Sequence, residues 1–315
     1  MSDTPKVLYI VGWGRSGSTL LDTLLGELPG FFSTGELRSI WERGLVERRW
    51  CGCGLPVPDC PVWSEVLERM RPDADAELDP RVVMRWQKEA FRVRHTRKLL
   101  RARTADELGP PGPQYGRVVA ALYRAIAETT QAQVIVDSSK VPSDSALLRL
   151  LPDVQSFFVQ LVRDPRAVAV SWKRANQLKD QDPPKAMETH GPVFSTVTWL
   201  GWNLLAEAIR RRSPAPSLLL RYEDLVADPR GALKRISELV DGPPVPSDFL
   251  EERTATLGAN HTVSGNPVRF STGRISLTED RQWVTTLPRG EGLLISGLAS
   301  PLLRRYGYPL VPPSR

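Results

Sequence analysis

The chain has 315 residues, 41% hydrophobic and 25% charged, with a formal net charge of +6. That is the composition of an ordinary globular protein with enough material for one large α/β domain or two small ones. It excludes a helical membrane span, since no apolar run approaches the roughly 18 residues needed, and its 34 Arg and 8 Lys fall in no recognisable nucleic-acid module.

The opening segment MSDTPKVLYIVG lacks a basic region followed by an apolar stretch and a cleavage site, so residence in the cytoplasm is expected. Val7–Val11 reads as a first strand, followed by GWGRSGST (Gly12–Thr19) and an apolar helix beginning near Thr19. Phe31–Thr34 is a shorter strand candidate that leads into GELR (Gly35–Arg38). Residues 41–123 form a helical insertion, with helices expected over Pro80–Arg103 and from about Tyr115 to Thr130, and a GPPGP loop between them. Its tryptophans, Trp41, Trp50, Trp63 and Trp86, are either core residues or platforms for an acceptor. Cys51, Cys53 and Cys60 are three thiols with no His at ligand spacing, whereas a closed zinc site takes four ligands. An odd count in a reducing compartment also argues against a disulfide framework. The reading is a structural turn with free thiols, the alternative a zinc or redox site, and no metal is expected in the reaction.

Three further strands follow. Gln133–Val136 precedes DSSK (Asp137–Lys140), Ser156–Val162 precedes RDPRAVAVS (Arg163–Ser171), and Ser217–Leu220 leads into RYED (Arg221–Asp224). Helices are expected over Pro192–Arg212 and Glu291–Tyr306. Strands alternating with helices imply a mostly parallel sheet, whose ligands bind beyond the carboxyl ends of the strands. The fold class is therefore α/β: a P-loop-like, mostly parallel sheet flanked by helices, one domain over residues 1–315, with the helical insertion over the nucleotide edge.

The first strand end is an anion loop. Its outline is that of a Walker A loop, with Gly12, Gly17 and Thr19 in place, but Ser18 stands where the lysine belongs. Backbone N–H groups and the helix N-terminus can hold an anion there, with Arg15, Ser16, Ser18 and Thr19 adding donors. A triphosphatase would lose its β,γ-phosphate contact, whereas a sulfuryl group carries less charge and needs less neutralisation. Arg163 and Ser171, at the third strand end, can converge on a second phosphate, which a kinase does not require. A P-loop kinase or nucleotide hydrolase without its lysine is the alternative reading.

These motifs resemble those of the sulfotransferases that use 3′-phosphoadenosine 5′-phosphosulfate (PAPS), especially the bacterial, carbohydrate and protein-tyrosine members. R-S-G-[ST]-[ST] is matched by Arg15–Thr19, Gly17 included, and R-D-P-R-A-x-x-x-S by Arg163–Ser171. The resemblance extends to Tyr222 in RYEDL, which in relatives lies beside the nucleotide. It also reaches GNPVRFSTGR (Gly265–Arg274), which is similar to a late loop that closes over the product nucleotide PAP. Many relatives have a lysine in the first loop; Arg15 is similar to the carbohydrate and tyrosine branches. The resemblance implies PAPS as co-substrate and a small-molecule, saccharide or glycolipid hydroxyl as acceptor. Lys140 then lies near the bridging oxygen of PAPS, or else pairs with Asp137 at the strand end. For the general base, His95, His190 and His261 follow no core strand. Glu36 is returned to the binding edge after the turn at Pro29-Gly30, and it resembles the glutamate base of the carbohydrate and tyrosine enzymes.

Overall fold

The computed structural model describes residues 4–70, 79–174, 177–178, 180–246 and 248–311; residues 1–3, and 71–78 of the insertion, lie outside this set. Strand β1 (Lys6–Val11) is flanked by parallel neighbours on both edges and is buried from Val7 to Val11, which is why it shows no polar alternation. Helix α1 (Ser18–Gly26) lays Leu21, Leu24 and Leu25 on Leu8 and Ile10, the three-to-four spacing of one helix face. The chain then returns as β2 (Phe31–Ser33) and passes through a 3₁₀ turn, Leu37–Ile40, into a wide π turn, Trp41–Val46.

The insertion carries α2 (Pro61–Met70), α3 (Pro80–Ala90), α4 (Thr96–Arg101) and α5 (Gly112–Thr130). The single helix expected over Pro80–Arg103 is interrupted between Ala90 and Thr96. Phe91 is fully buried, and its carbonyl accepts from Arg38 Nη2 at 3.1 Å and Ser143 Oγ at 2.7 Å, so tertiary partners replace the next helical turn. Trp41 and Trp63 are core residues, packed with Val7 and Tyr9 of β1 and Ile135 of β3 on one face of the sheet.

Strand β3 (Val134–Lys140) runs four residues further than expected, so DSSK belongs to the strand instead of following it. Its register against β1 slips between Tyr9↔Asp137 and Val11↔Lys140, a bulge that leaves Lys140 at φ +70°. Helix α6 (Pro142–Leu148) and β4 (Gln155–Val162) follow, then α7 (Pro165–Lys173), whose cap Asp164 accepts from Arg166 N at 2.9 Å. A two-stranded ribbon, β5 (Gln177–Leu178) with β6 (Lys185–Ala186), precedes α8 (Pro192–Arg212). Strand β7 (Ser217–Arg221) completes a five-stranded sheet of order β2-β3-β1-β4-β7, parallel at every pair. Helices α9 (Tyr222–Ala227) and α10 (Pro229–Leu239) follow. A small antiparallel sheet of β8 (Leu250–Glu251), β9 (Thr254–Leu257) and β10 (Gly273–Ser276) precedes α11 (Gln282–Thr286) and α12 (Arg289–Arg305). Among the described residues no helix is long and apolar enough to cross a membrane.

Candidate active site

The carboxyl ends of β1, β2, β3, β4 and β7 deliver the chemistry-bearing residues to one edge. The β1–α1 loop turns through Arg15 (φ +67°) and Gly17 (φ +89°). Gly17 is required on two counts: its backbone is left-handed, and a Cβ there would fall 2.4 Å from the ring of Tyr222. Tyr222, at the start of α9, thus lies directly on the loop. The Arg163 guanidinium sits over the same ring, 4.4 Å from its centroid, and donates to Arg15 O at 3.1 Å. Arg15, Gly17, Arg163 and Tyr222 form one contiguous group.

Buried polar atoms in this group lack partners: Ser16 Oγ, Arg15 Nε and Arg163 Nε make no hydrogen bond. Unpaired buried donors are costly, and three of them around one loop suit an anionic ligand. Arg163 faces Asp280, with Nη2 at 3.4 Å from Oδ2, and Arg174 pairs with the same carboxylate at 3.0 Å. Thr19 Oγ1 accepts from Asn266 N at 3.3 Å, so the Gly265–Phe270 part of the late loop rests on the start of α1. Ser171 lies in the last turn of α7. Arg274 stands apart: it is on β10, and its guanidinium pairs at 2.5 Å with Glu251, both side chains being 66% exposed.

Glu36 occupies the turn after β2. Its Oε1 accepts from Lys140 Nζ at 2.6 Å, and its Oε2 from Arg43 Nη1 at 3.3 Å. Lys140 therefore pairs with Glu36, while Asp137 instead accepts from Ser139 N at 2.8 Å and Tyr123 Oη at 2.6 Å. Burial pushes the Glu36 carboxyl up, but Lys140 and Arg43 outweigh it and hold its pKa below the ordinary carboxylate value. Burial lowers the Arg15 pKa; Glu36, within electrostatic reach, opposes that shift. Arg43 escaped the sequence reading because its approach depends on the π turn, a backbone detail with no residue signature.

Beside Arg15 lies an aromatic cluster that the sequence reading also missed. Trp172 sits 4.9 Å from the Arg15 guanidinium, and Trp13, Trp172, His190 and Phe194 follow one another at ring separations of 4.5–5.3 Å. Phe194 is 56% exposed. Only the turn bearing Trp13 and the spacing of Trp172 after Arg163 hinted at it. His95 is away from this group, bonded to Arg92 N and Arg94, and His261 meets the cysteines.

A five-stranded parallel sheet, the Arg15 loop at its central strand and a cation-flanked carboxylate at the same edge define an α/β protein whose charged side chains gather at the carboxyl ends of its strands. The profile of the sulfotransferase family matches residues 6–245, and the chain belongs to that family of enzymes. Carbohydrate sulfotransferase 3 of Tetronarce californica is 28% identical over 189 residues, 51% of this chain and 39% of that protein. The chain thus spans about two-fifths of this relative's length. Two solved structures share the fold over nearly the whole chain. The sulfotransferase domain of the Synechococcus PCC 7002 olefin synthase aligns with TM-score 0.54 and 21% identity, covering 97% of this chain and 96% of that one. The sulfotransferase domain of the curacin biosynthetic pathway gives 0.52 and 18%, covering 97% and 98%.

Proposed function

We propose that the chain, as a single transferase domain, moves a sulfuryl group from PAPS to a hydroxyl of a small acceptor, a saccharide or glycolipid being the favoured class. The observation that carries this reading is Glu36, ionised and held by Lys140 at the sheet edge that also bears the Arg15 loop. The unpartnered donors of Ser16, Arg15 and Arg163 fit the two phosphate-bearing ends of such a donor. Residues Arg15–Thr19 would hold the 5′-phosphosulfate, and Arg163 with Ser171 the 3′-phosphate. Tyr222 would lie against the nucleotide, and Arg274 would approach only if its loop moves.

Glu36 takes the proton of the acceptor hydroxyl as that oxygen bonds to sulfur. The bond from sulfur to the bridging oxygen breaks, and Lys140 and Arg15 stabilise the negative charge left on that oxygen. No step requires a metal ion. The aromatic cluster of Trp172, His190 and Phe194, beside Arg15, is the surface we assign to the acceptor, and stacking on sugar faces suits it. The name of the Tetronarce relative supports the saccharide class.

The test is ligand-dependent stability and product formation. PAP without added divalent ions should raise the melting temperature, as a ligand selective for the native state does, and ATP with Mg²⁺ should do so less. Incubation with PAPS and saccharide pools should yield a sulfated product by mass spectrometry. Stabilisation by ATP and Mg²⁺ with none by PAP would overturn the reading.

A further inference from the structure

Folding closes a site that the linear spacing of the cysteines conceals. Cys51, Cys53 and Cys60 come from the loop before α2, and His261 comes from the late segment, 201 residues beyond Cys60. Their three Sγ atoms and the imidazole nitrogen all lie within 4.8 Å of one another. Cys60 Sγ is 3.2 Å from His261 Nδ1, and Cys51 Sγ is 3.9 Å from it. Tetrahedral zinc with Zn–S near 2.3 Å and Zn–N near 2.05 Å sets sulfur–nitrogen edges at about 3.5 Å and sulfur–sulfur edges at about 3.8 Å. The two observed separations bracket the first of these. We propose that Cys51, Cys53, Cys60 and His261 form a structural zinc site of the Cys₃His type.

The surroundings are built to hold such a site. Trp63 Nε1 donates to His261 O at 2.7 Å, fixing the backbone that carries the imidazole. Cys51 N donates to Leu55 O at 2.7 Å, and Gly54 N to Cys51 O at 2.9 Å, folding the C-x-C segment into a tight loop. Gly52 N reaches Thr262 O at 2.9 Å, and a Cβ on Gly52 would strike Asn260 Oδ1 at 1.9 Å, so the residue between the first two cysteines must be glycine. Cys51 and Cys60 are buried and Cys53 is partly so. Four protein ligands close the coordination shell, which suits a structural role and leaves no position for substrate. Zn²⁺ with three thiolates and a neutral imidazole carries one net negative charge. Arg269, 1% exposed, lies close by with Asp180 3.8 Å from its Nη2: that nitrogen donates to Trp50 O at 2.5 Å and Nη1 to Thr262 O at 2.6 Å.

The position explains what the metal would do. The segment after His261 donates Val263 N to Thr34 O at 2.9 Å, and its Ser264 O accepts from Glu36 N at 3.0 Å. Ser264 Oγ also accepts from Arg43 Nη1 at 2.8 Å. Zinc would therefore tie the insertion to the segment that fixes the backbone of Glu36 and the side chain of Arg43. Binding takes up Zn²⁺ and releases the three thiol protons to solvent, with no change of oxidation state.

The full-length protein, produced in zinc-supplemented medium and purified under reducing conditions, should contain about one zinc per chain by elemental mass spectrometry. A mercurial thiol reagent should release that zinc stoichiometrically from the folded wild type. Replacing zinc with Co²⁺ should give a thiolate-to-metal band and the visible d–d bands of a tetrahedral site. Cys53→Ser, the mildest change, and His261→Ala should each lower the zinc retained through purification well below one per chain, because each removes a ligand from the closed four-ligand shell. A folded wild type that contains no zinc and takes up neither zinc nor cobalt when reduced would overturn the proposal. So would a Cys51–Cys60 disulfide in the native protein, or full zinc content in both variants.

Discussion

Glu36 has two cations within reach and a pKa held down by them, so at neutral pH it is a ready acceptor for a proton but a weaker base than a free carboxylate. The Lys140 ion pair accounts for both properties. Exchanging Glu36 for Gln keeps the shape and removes the basicity; kcat should fall by about 10²–10⁴, the usual worth of a general base. PAP binding should hold or tighten, because Lys140 and Arg43 are released from their anion. Collapse of PAP affinity with unchanged kcat would assign Glu36 a purely structural role. The depressed pKa also places the acid limb of the rate profile. As the proposed base, Glu36 would act in its ionised form, present above the folded-state value and lost as pH falls through it. That limb should lie below the roughly 4.3 of an ordinary glutamate in the free enzyme. Asp280 makes the complementary case. It now faces Arg163 and Arg174, where a 3′-phosphate would bring a like charge. Asp280→Asn keeps an oxygen to cap Gln282 N and should tighten PAP binding in calorimetry at low salt; weakening would mean that Asp280 organises Arg163 for the ligand.

At the scale of the elements, β3 and α1 enclose carboxylates that water does not reach. Asp22 of α1 accepts from Ser33 of β2, and burial pushes its pKa up to about 7; burial likewise raises Asp137 of β3 to about 6. A raised carboxylate binds its proton more tightly in the folded state than in the unfolded one. Its contribution is therefore favourable at low pH and is lost as pH rises from about 4 towards 7. Asp22→Asn should then gain melting temperature relative to wild type between pH 5 and pH 7.5; a difference independent of pH would refute the assignment. The β4–α7 junction carries a separate expectation. Arg163→Ala should weaken PAP by about 1.5–3 kcal/mol, typical for a hydrogen bond to a charged group. Ser171→Ala should act in the same direction. Adenosine 5′-phosphosulfate, lacking the 3′-phosphate, should be nearly indifferent to both, and equal losses for the two nucleotides would displace the 3′-phosphate from this junction.

Across the whole molecule, the site joins segments 247 residues apart in the chain. The anion loop follows the first strand, yet Asn266 rests on Thr19 and Ser264 on Glu36. PAP should therefore slow amide exchange in residues 12–19 and, through them, in 263–270; protection confined to the first segment would show the two to be uncoupled.

Much of this architecture was legible in the residues. Strands β1, β4 and β7, the Arg15 loop and the Arg163 junction follow from apolar runs ended by glycine, by Arg-Asp-Pro or by Arg-Tyr-Glu-Asp, which are local signals. The placement of Glu36 near the loop follows from chain reversal at Pro29-Gly30. What local signals could not carry is anything set by a distant partner. The break after Ala90 depends on Arg38 and Ser143 reaching the Phe91 carbonyl, and the Lys140–Glu36 pair depends on a bulge in β3. Arg43 arrives through a π turn, and His261 meets three cysteines some two hundred residues earlier in the chain. The sequence alone pointed to the Arg15–Thr19 and Arg163–Ser171 segments, to the order of the strands' chemistry and to Glu36 as the candidate base, because each lies at or just beyond a strand end. Only the tertiary structure decided which charges face one another and which ligands close a shell, because those depend on distances between segments that no spacing along the chain records.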